Sequence, residues 1–350
     1  MGRTYRVVQW ATGNIGTRAL QQVIRAPDLE LVGVRVYDEA KAGTDAGDLC
    51  GEARTGVPAT TDREAILALG ADCVLYMPRS FDVDDVVALL ESGTNVVTTR
   101  GELCDGGSAL PDEVRQRIED ACAKGGTSAY ATGSSPGFIS EALPMALLTL
   151  QRRVDRIVIE EFADMSRRDS PDLLFQIMGY AADPAAFDPH RYGHLLASFS
   201  PSLRTLAQAA GREVEEWTCN GEVAVAPRDI GIAAGTIPAG TVAAQRTRVV
   251  GSTAGEEVVS FIATWYCTED LDPAWDVQPT GWRVQVHGDA SMTADLPFPV
   301  AADQLGQATP GYTANPPVNA IPFVVAARPG ILRSLELPPL VPGGPLSDGA

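Results

Sequence analysis

Basic residues are scarce in this sequence. The chain of 350 residues contains 27 Lys and Arg against 45 Asp and Glu, which gives a formal net charge of −18. Binding to nucleic acid requires a positively charged surface that neutralises phosphates, so this balance argues against DNA or RNA as a partner. An anionic membrane surface is disfavoured for the same reason. We therefore expect small-molecule partners.

Features of secreted and membrane proteins are also missing. The six cysteines are scattered without a Cys-x-x-Cys pair, which predicts reduced, mostly buried thiols in a cytoplasmic protein. The opening stretch "MGRTYRVVQW" has no apolar leader region, so we expect no signal peptide. No apolar run approaches the length needed to span a bilayer, so we expect no transmembrane helix.

Histidine is scarce as well, with three in the chain, and we predict no metal site. His190 and His194 are four residues apart in "DPHRYGHLL", a spacing that can place two imidazoles on one helix face as zinc ligands. The glutamate of the H-E-x-x-H motif and an obvious third ligand are both missing. A structural role is the alternative that we favour for this pair and for His287.

The first 150 residues alternate predicted strands with predicted helices. The short apolar runs "YRVVQW", "LELVGVRVY", "DCVLYMP", "NVVTT" and "SAYATG" predict buried strands. Between them, "TDREAILALG", "DVDDVVALLESG" and "PDEVRQRIEDACAKGG" have the acidic or proline starts and glycine ends typical of helices. This order predicts an α/β fold with a Rossmann-like parallel sheet covered on both faces.

The pattern changes after residue 150. The runs "RIVIEEFADMS", "TRVVGS", "EEVVSFIATWYC" and "GWRVQVHG" predict strands, with "CNGE" and "GSTAGEE" as hairpin turns and a helical insert near residues 172–208. We predict a dinucleotide-binding domain over residues 1–150 and a sheet-rich α+β substrate and dimerisation domain over 151–310. A helix over 311–335 is expected to return to the first domain, followed by an irregular tail over 336–350.

The stretch "WATGNIG" lies between the first predicted strand and a predicted helix. Gly13 would let the backbone approach a pyrophosphate, Gly16 would let the helix pack closely on the strand, and the helix start would offer N–H groups to the anion. Ala11 replaces the first glycine of G-x-G-x-x-G, so a plain strand–turn–helix remains the alternative. The predicted cofactor-binding turn consists of Ala11, Thr12, Gly13, Asn14, Ile15 and Gly16.

Asp38 ends the second predicted strand, about 20 residues after the glycines. A carboxylate at this place commonly accepts hydrogen bonds from the ribose hydroxyls of NAD and repels the 2′-phosphate of NADP. An ordinary turn aspartate is the alternative. Lys41 is close enough to soften the repulsion, so we expect NAD or NADP as the cofactor. Pro78 and Asn319 complete the predicted cofactor-binding set.

Glu102 is the predicted catalytic residue. It follows the predicted strand in "NVVTTRGELCDGG", at the edge where ligands of open α/β sheets gather. A partly desolvated carboxylate there could accept a proton near neutral pH, and a loop glutamate paired with Arg100 is the alternative.

The stretch "GSSPG" at residues 133–137 matches the G-x-S-x-G motif of hydrolases. Pro136 has no N–H to donate to an oxyanion, so we do not expect a hydrolase.

The ordered set "WATGNIG", "NVVTTRGEL", "GSSPGF" and "TANPPVNAIP" resembles the 2,4-diaminopentanoate dehydrogenase and native amine dehydrogenase family over residues of about 5 to 335. That family shares its fold with 4-hydroxy-tetrahydrodipicolinate reductase. The resemblance implies an NAD(P)-dependent oxidoreductase that interconverts a primary amine with a ketone or aldehyde and ammonia. It also implies a homodimer, and it implies that Glu102 handles the amine nitrogen.

Departures from these patterns bear on the substrate. Gly101 stands where diaminopentanoate-type members have the first of two adjacent acids, which puts a diamino-acid substrate in doubt. The paired histidines followed by lysine of the dipicolinate reductases are missing, and few basic residues lie near the motifs, which disfavours a dicarboxylate. An apolar substrate pocket is predicted from residues that also suit a plain core, namely Phe138, Phe175, Met178 and Tyr312.

Two other functions remain open at this point. One is a Rossmann-type reductase that acts on an imine or a carbonyl compound without free ammonia. The other is a non-enzymatic protein that senses a dinucleotide. Oxidation of primary amines but not of alcohols would separate the three possibilities.

Overall fold

The computed structural model describes residues 3–188, 193–301 and 303–343. Contacts group the chain into two compact units, one comprising Met1–Phe138 with Thr309–Ala350 and the other Ile139–Ala308. The domain divisions at residues 150 and 310 stay a prediction. His190 and residues 344–350 of the predicted tail lie outside the described residues.

A parallel sheet forms the centre of the first unit. Numbered in chain order, its strands within the described residues are β1 (Tyr5–Trp10), β2 (Leu29–Arg35), β3 (Ala59–Thr60), β4 (Cys73–Tyr76), β5 (Asn95–Thr98), β6 (Ser128–Ala131) and, near the end of the chain, β15 (Gly330–Ile331). Their spatial order is β15-β6-β5-β4-β1-β2-β3. Every neighbouring pair is parallel, which confirms the Rossmann-like α/β fold.

Helices cover both faces of this sheet. They are α1 (Asn14–Arg25), α2 (Ala46–Cys50), α3 (Arg63–Leu67), α4 (Val83–Glu91), α5 (Cys104–Gly107), α6 (Asp112–Gly125) and α9 (Leu305–Ala326), with short 3-10 turns at Glu39–Lys41, Gly101–Leu103 and Ser334–Glu336. Val74 and Tyr76 of β4 face an apolar cluster that includes Leu90 of α4, whereas Leu75 faces a cluster that includes Ile321 of α9. Burial on both faces explains why these strands are continuously apolar in sequence.

A mixed sheet dominates the second unit. Its strands are β7 (Val154–Asp164), β8 (Glu216–Val225), β11 (Val242–Thr253), β12 (Glu256–Tyr266), β13 (Gly281–Gly288) and β14 (Met292–Pro297), beside a separate hairpin of β9 (Ile230–Ile232) and β10 (Gly235–Ile237). The spatial order is β14-β13-β7-β12-β11-β8, with β7 and β12 parallel and the other pairs antiparallel. The helices are α7 (Leu143–Leu148) and α8 (Gly193–Ala209), a π-helical segment covers Asp172–Ile177, and a 3-10 turn covers Pro184–Ala186. The segment Ser134–Ala142 that precedes α7 is extended at Ser135 and Pro136 and turns sharply at Gly137.

One predicted turn is wrong and one is confirmed. The sequence "CNGE" lies inside β8, where Asn220 and Gly221 pair with Arg248 and Thr247 of β11. Long-range pairing thus overrides a local turn signal. Ala254 and Gly255 in "GSTAGEE" connect β11 to β12 with φ values of 52° and 82°, as the tightest hairpin turns require.

The cysteines are free, and all except the half-buried Cys219 are buried. Burial raises the pKa of the Cys50 thiol to about 11 and that of Cys122 to about 12. No helix among the described residues is both long and apolar enough to cross a membrane.

Candidate active site

The turn between β1 and α1 uses its small residues in two different ways. Ala11 has a φ of 73°, the left-handed conformation that glycine usually supplies at the first position of this motif. A Cβ on Gly16 would lie 2.1 Å from the Ala11 carbonyl oxygen, so only glycine fits there. A Cβ on Gly13 would meet no atom within 4 Å. Packing therefore requires Gly16, whereas Gly13 faces open space.

Helix α1 begins without a capping side chain. Gly13 is its N-cap, and its first turn has no acidic residue and no side-chain cap. Uncapped N–H groups and the positive end of the helix dipole together favour an anion at this place. Thr17 Oγ1 donates a hydrogen bond to the Thr12 carbonyl at 3.2 Å, which fixes the turn in front of the helix. Asn14 and Ile15 are the first two helical residues.

A pocket of about 350 Å³ opens at this helix start. Its lining residues are Thr12, Gly13, Asn14, Thr17, Arg18, Gln21, Leu49 and Cys50. Arg18 Nη1 donates to Gln21 Oε1 at 3.0 Å, and both side chains line this pocket. Sequence reasoning missed Arg18 and Gln21. Their position on the first turns of the helix that follows the glycines was the available signal.

Asp38 and Lys41 lie at the end of β2 but point to different partners. Asp38 caps the 3-10 turn Glu39–Lys41, and its Oδ1 accepts a hydrogen bond from Ala40 N at 2.9 Å. Lys41 Nζ lies 3.1 Å from the Thr12 carbonyl oxygen and 3.3 Å from Thr12 Oγ1. The structure thus brings the ammonium group to the glycine turn rather than to the Asp38 carboxylate.

Glu102 lies on the 3-10 turn that follows β5. Arg100 Nη2 donates to Glu102 Oε1 at 2.6 Å, and each side chain is 31% exposed. Arg100 Nη1 also donates to the Arg79 carbonyl at 2.9 Å, which ties the pair to the loop after β4. That loop contains the buried Pro78. Because β4 and β5 are parallel neighbours, Pro78 and Glu102 follow the carboxyl ends of adjacent strands.

The loop after β6 reaches the same edge of the sheet. Ser134 Oγ lies 2.7 Å from Thr313 Oγ1 of α9, so this hydroxyl pair joins the loop to the helix. Gly137 has a φ of 124°, and a Cβ there would lie 2.9 Å from Thr132 Oγ1. Ser135 Oγ is buried and has no hydrogen-bond partner among the described residues. A hydroxyl nucleophile needs an adjacent base, so this arrangement gives no support to a hydrolase.

The assignment of Asn319 to the cofactor stays a prediction. This residue lines a pocket of about 270 Å³ together with Gln22 and Ala26, at the C-terminal end of α1, whereas the glycine turn is at the other end of that helix. Thr313 is the residue of α9 that contacts the β6 loop. Both residues belong to the helix that the sequence predicts over 311–335.

The predicted substrate residues divide between the two units. Phe138, which is 37% exposed, and the half-buried Tyr312 belong to the first unit. Phe175 and Met178 belong to the second, where both pack against an apolar cluster that includes Tyr180. The Met178 carbonyl also accepts a hydrogen bond from Gln245 Nε2 at 2.5 Å.

The described residues contain no group of three or more His, Cys, Asp or Glu side chains that could hold a metal ion. His287 Nε2 lies 3.4 Å from Arg156 Nη2 on the neighbouring strand. His194 lies in the first turn of α8, and its predicted companion, His190, lies outside the described residues.

No family model matches the chain. In sequence it is 31% identical over 353 residues to an amine dehydrogenase from Streptomyces virginiae, with 95% of each chain covered. In structure it matches an amine dehydrogenase from Mycobacterium smegmatis with a TM-score of 0.74 at 19% identity, over 96% of this chain and 97% of that one. The WlbA dehydrogenase from Chromobacterium violaceum, in complex with NADH and UDP-GlcNAcA, gives a TM-score of 0.51 at 15% identity over 92% and 86%.

Proposed function

The chain belongs to the amine dehydrogenase family, and from this premise we propose how its own residues carry out the family's reaction. The protein is an NAD(P)-dependent oxidoreductase. The ammonium form of a primary amine, water and the oxidised cofactor give a carbonyl compound, an ammonium ion, the reduced cofactor and one proton. The observation that supports this proposal most strongly is the position of Glu102, which Arg100 holds beside the carboxyl end of β5. The chain is also similar to an amine dehydrogenase over nearly its whole length.

The residues around the glycine turn suit a dinucleotide. The open space in front of Gly13 and the uncapped start of α1 fit a pyrophosphate, which would accept hydrogen bonds from the helix N–H groups. Lys41 adds a positive charge at the same turn, and Asp38 fits a ribose hydroxyl. When bound, the nicotinamide supplies the acceptor for the hydrogen on the carbon that bears nitrogen.

Glu102 serves as the general base. The substrate amine is protonated at neutral pH, and its nitrogen must lose a proton before that carbon can be oxidised. Because Arg100 occupies Oε1, the proposed acceptor of this proton is Oε2. Once that proton has passed to bulk water, the same carboxylate can accept a proton from the water that adds to the imine and return it to the nitrogen that leaves as ammonia. Arg100 acts by fixing the carboxylate, since its second contact anchors it to the Arg79 carbonyl.

Assembly and location are part of the proposal. A homodimer is what the family resemblance implies, and sedimentation of the purified protein would test it, with a monomer at micromolar concentration as the contradicting result. A cytoplasmic location is supported by the six free cysteines, which suit a compartment that keeps thiols reduced.

The activity is tested by following cofactor reduction at alkaline pH with a panel of primary amines and the corresponding alcohols. We expect oxidation of amines and not of alcohols, with ammonia released in equal amount to the reduced cofactor. The reverse assay uses the carbonyl compound with and without ammonium. Reduction that does not depend on ammonium would indicate an imine or carbonyl reductase. Cofactor binding without turnover of any amine would indicate a dinucleotide-sensing protein.

A further inference from the structure

A buried glutamine lies beneath the turn between β1 and α1. Gln9 of β1 is fully buried, and its Nε2 donates a hydrogen bond to the Ala11 carbonyl oxygen at 2.9 Å. No other donor in the described part of the chain reaches this carbonyl. Ala11 is itself buried and packs against Gly16, so the Gln9 side chain supplies the hydrogen bond that a buried carbonyl needs.

The residue that Gln9 binds has an unfavourable backbone conformation. Ala11 has a φ of 73°, where a Cβ crowds the following carbonyl group, whereas glycine adopts the same conformation freely. The N–H of Ala11 donates a hydrogen bond to the Arg35 carbonyl of β2 at 2.8 Å. Hydrogen bonds therefore hold both polar backbone groups of Ala11, one through the backbone of a neighbouring strand and one through the Gln9 side chain.

Packing alone does not explain a glutamine at position 9. Gln9 Oε1 is buried and has no hydrogen-bond partner among the described residues, which destabilises the fold. The neighbours on this face of the sheet are apolar, namely Val7 two residues earlier and Leu75, which is the partner of Gln9 on β4. An apolar side chain would therefore suit the core better. What a glutamine adds is the N–H donor to the Ala11 carbonyl.

We propose that Gln9 is a positioning residue for the cofactor, because it holds Ala11 in the left-handed conformation that the missing first glycine would adopt unaided. This conformation directs the chain to Gly13, the N-cap of α1, where the proposed function places the pyrophosphate. A relaxed Ala11 would change the path of the chain into the first helical turn and so weaken cofactor binding. The proposal rests on the proposed function, which assigns the dinucleotide to this turn. It requires that Gln9 matters only while residue 11 has a Cβ.

A double-mutant cycle between positions 9 and 11 tests this requirement by calorimetric titration of the full chain with NAD and with NADP. Q9M keeps the approximate size of the side chain but cannot donate, and we expect it to raise the cofactor Kd by about five- to tenfold. A11G allows the left-handed conformation without a Cβ, so Q9M/A11G should bind within about twofold of A11G alone. An unchanged Kd in Q9M, or the same increase with alanine and with glycine at position 11, would overturn the proposal.

Asn95 provides a matched control in the same sheet. Its Nδ2 also donates to a backbone carbonyl, that of Asp72 at 2.8 Å, but it begins β5 and so lies at the edge of the sheet opposite to the glycine turn. We expect N95L to lower the melting temperature and to leave the cofactor Kd within about twofold of wild type. An N95L that weakens binding as much as Q9M would trace both losses to general destabilisation and contradict the proposal. If Q9M does not fold, Q9N, whose shorter amide withdraws the donor, replaces it in the cycle.

Steady-state kinetics of amine oxidation give a second readout. In Q9M the KM for the cofactor should rise about as much as its Kd, while kcat at saturating cofactor stays within about twofold, because Gln9 does not touch the reacting atoms. A lower kcat with an unchanged KM would contradict the proposal. A wild type that oxidises amines but gives an additive cycle retains the proposed function and loses only this inference. A wild type that binds neither NAD nor NADP loses both, and one that binds them but oxidises no amine loses the proposed reaction while the binding cycle still decides the role of Gln9.

Discussion

At the scale of single residues, the proposed reaction depends most on Glu102 as the general base. General-base removal typically costs about 10²- to 10⁴-fold in rate. We expect Glu102→Gln to keep cofactor affinity and to lose amine oxidation by that order at pH 7 to 8, because the amide has nearly the same shape but cannot accept the proton. The loss should shrink at high pH, where the solution supplies free amine. Steady-state kinetics between pH 7 and 10 measure both effects.

The matched control for this variant is Glu64→Gln. Glu64 is also paired with a nearby arginine, Arg63, at 3.0 Å, but it lies on α3 with a side chain that is 77% exposed. Its substitution should leave the rate within about twofold of wild type, since surface ion pairs contribute little to stability. A Glu102→Gln enzyme with near-wild-type turnover would show that the base is another residue.

We predict that cofactor preference depends on a second carboxylate, that of Asp38. Lys41, one of two lysines in the sequence, binds the Thr12 carbonyl, so its charge is held at the glycine turn instead of beside Asp38. We therefore expect the wild type to use NAD at least as well as NADP. Asp38→Ser should raise the NADP-to-NAD ratio of kcat/KM by about tenfold or more, because repulsion between two unit charges 4 Å apart is about 1 to 4 kcal/mol near a protein surface. A wild type that strongly prefers NADP in parallel kinetic assays would contradict the assignment of Asp38 to the ribose.

At the scale of elements, the two glycines at the start of α1 should respond differently to the same substitution. Gly16→Val places a Cβ within 2.1 Å of the Ala11 carbonyl oxygen and should lower the melting temperature by several degrees or prevent folding. Gly13→Val meets no protein atom and should leave the melting temperature nearly unchanged while weakening cofactor binding by about tenfold or more, because its side chain fills the approach to the pyrophosphate. Differential scanning fluorimetry and calorimetric titration with NAD and NADP separate the two effects. If Gly13→Val binds NAD and NADP with unchanged affinity, the turn between β1 and α1 does not bind the cofactor.

The sequence predicts elements best where local pattern and tertiary environment agree. The strands of the first sheet are buried on both faces, so their apolar runs are unambiguous, and Asp62 and Asp82 cap α3 and α4 through their following backbone N–H groups. The second sheet is harder to predict, because β8 contains a turn-like Asn-Gly that only pairing with β11 makes extended. Strand β14 was missed because its alternate residues are exposed and polar.

The same limit applies to the candidate site. Gly13, Gly16 and Glu102 could be proposed because each lies within a few residues of the end of a predicted strand. The contacts of Arg100 with Arg79 and of Thr313 with Ser134 depend on how loops and helices from distant parts of the chain meet, which no local pattern specifies. The orientation of Asn319 could not be predicted, since a helix with four internal prolines gives little periodicity from which to read it.

At the scale of the whole molecule, the many acidic residues make the free energy of unfolding depend on pH. Asp45 in the first unit and Asp289 in the second both accept hydrogen bonds from backbone N–H groups, which lower their pKa values. The folded state of such a group binds its proton less readily than the unfolded state, so its stabilisation is full above the unfolded pKa of about 4 and disappears as the pH falls through the lower folded value. Glu160, whose pKa is raised by burial, acts in the opposite sense, because its protonation favours the folded state as the pH falls.

Asp45 is the group through which this dependence is best tested. Its carboxylate caps α2 and closes the following loop, accepting from Gly47 N at 2.9 Å, Thr55 N at 2.9 Å and Gly56 N at 2.7 Å. An asparagine has one acceptor oxygen, and its NH₂ would face a backbone donor. Asp45→Asn should therefore melt at a lower temperature than wild type at pH 7. At pH 3, below the pKa of about 4 that an aspartate has in the unfolded chain, the difference should narrow. Thermal melts at half-unit steps from pH 3 to 7 provide the comparison, and a gap that stays constant across this range would show that the charge of Asp45 does not stabilise the fold.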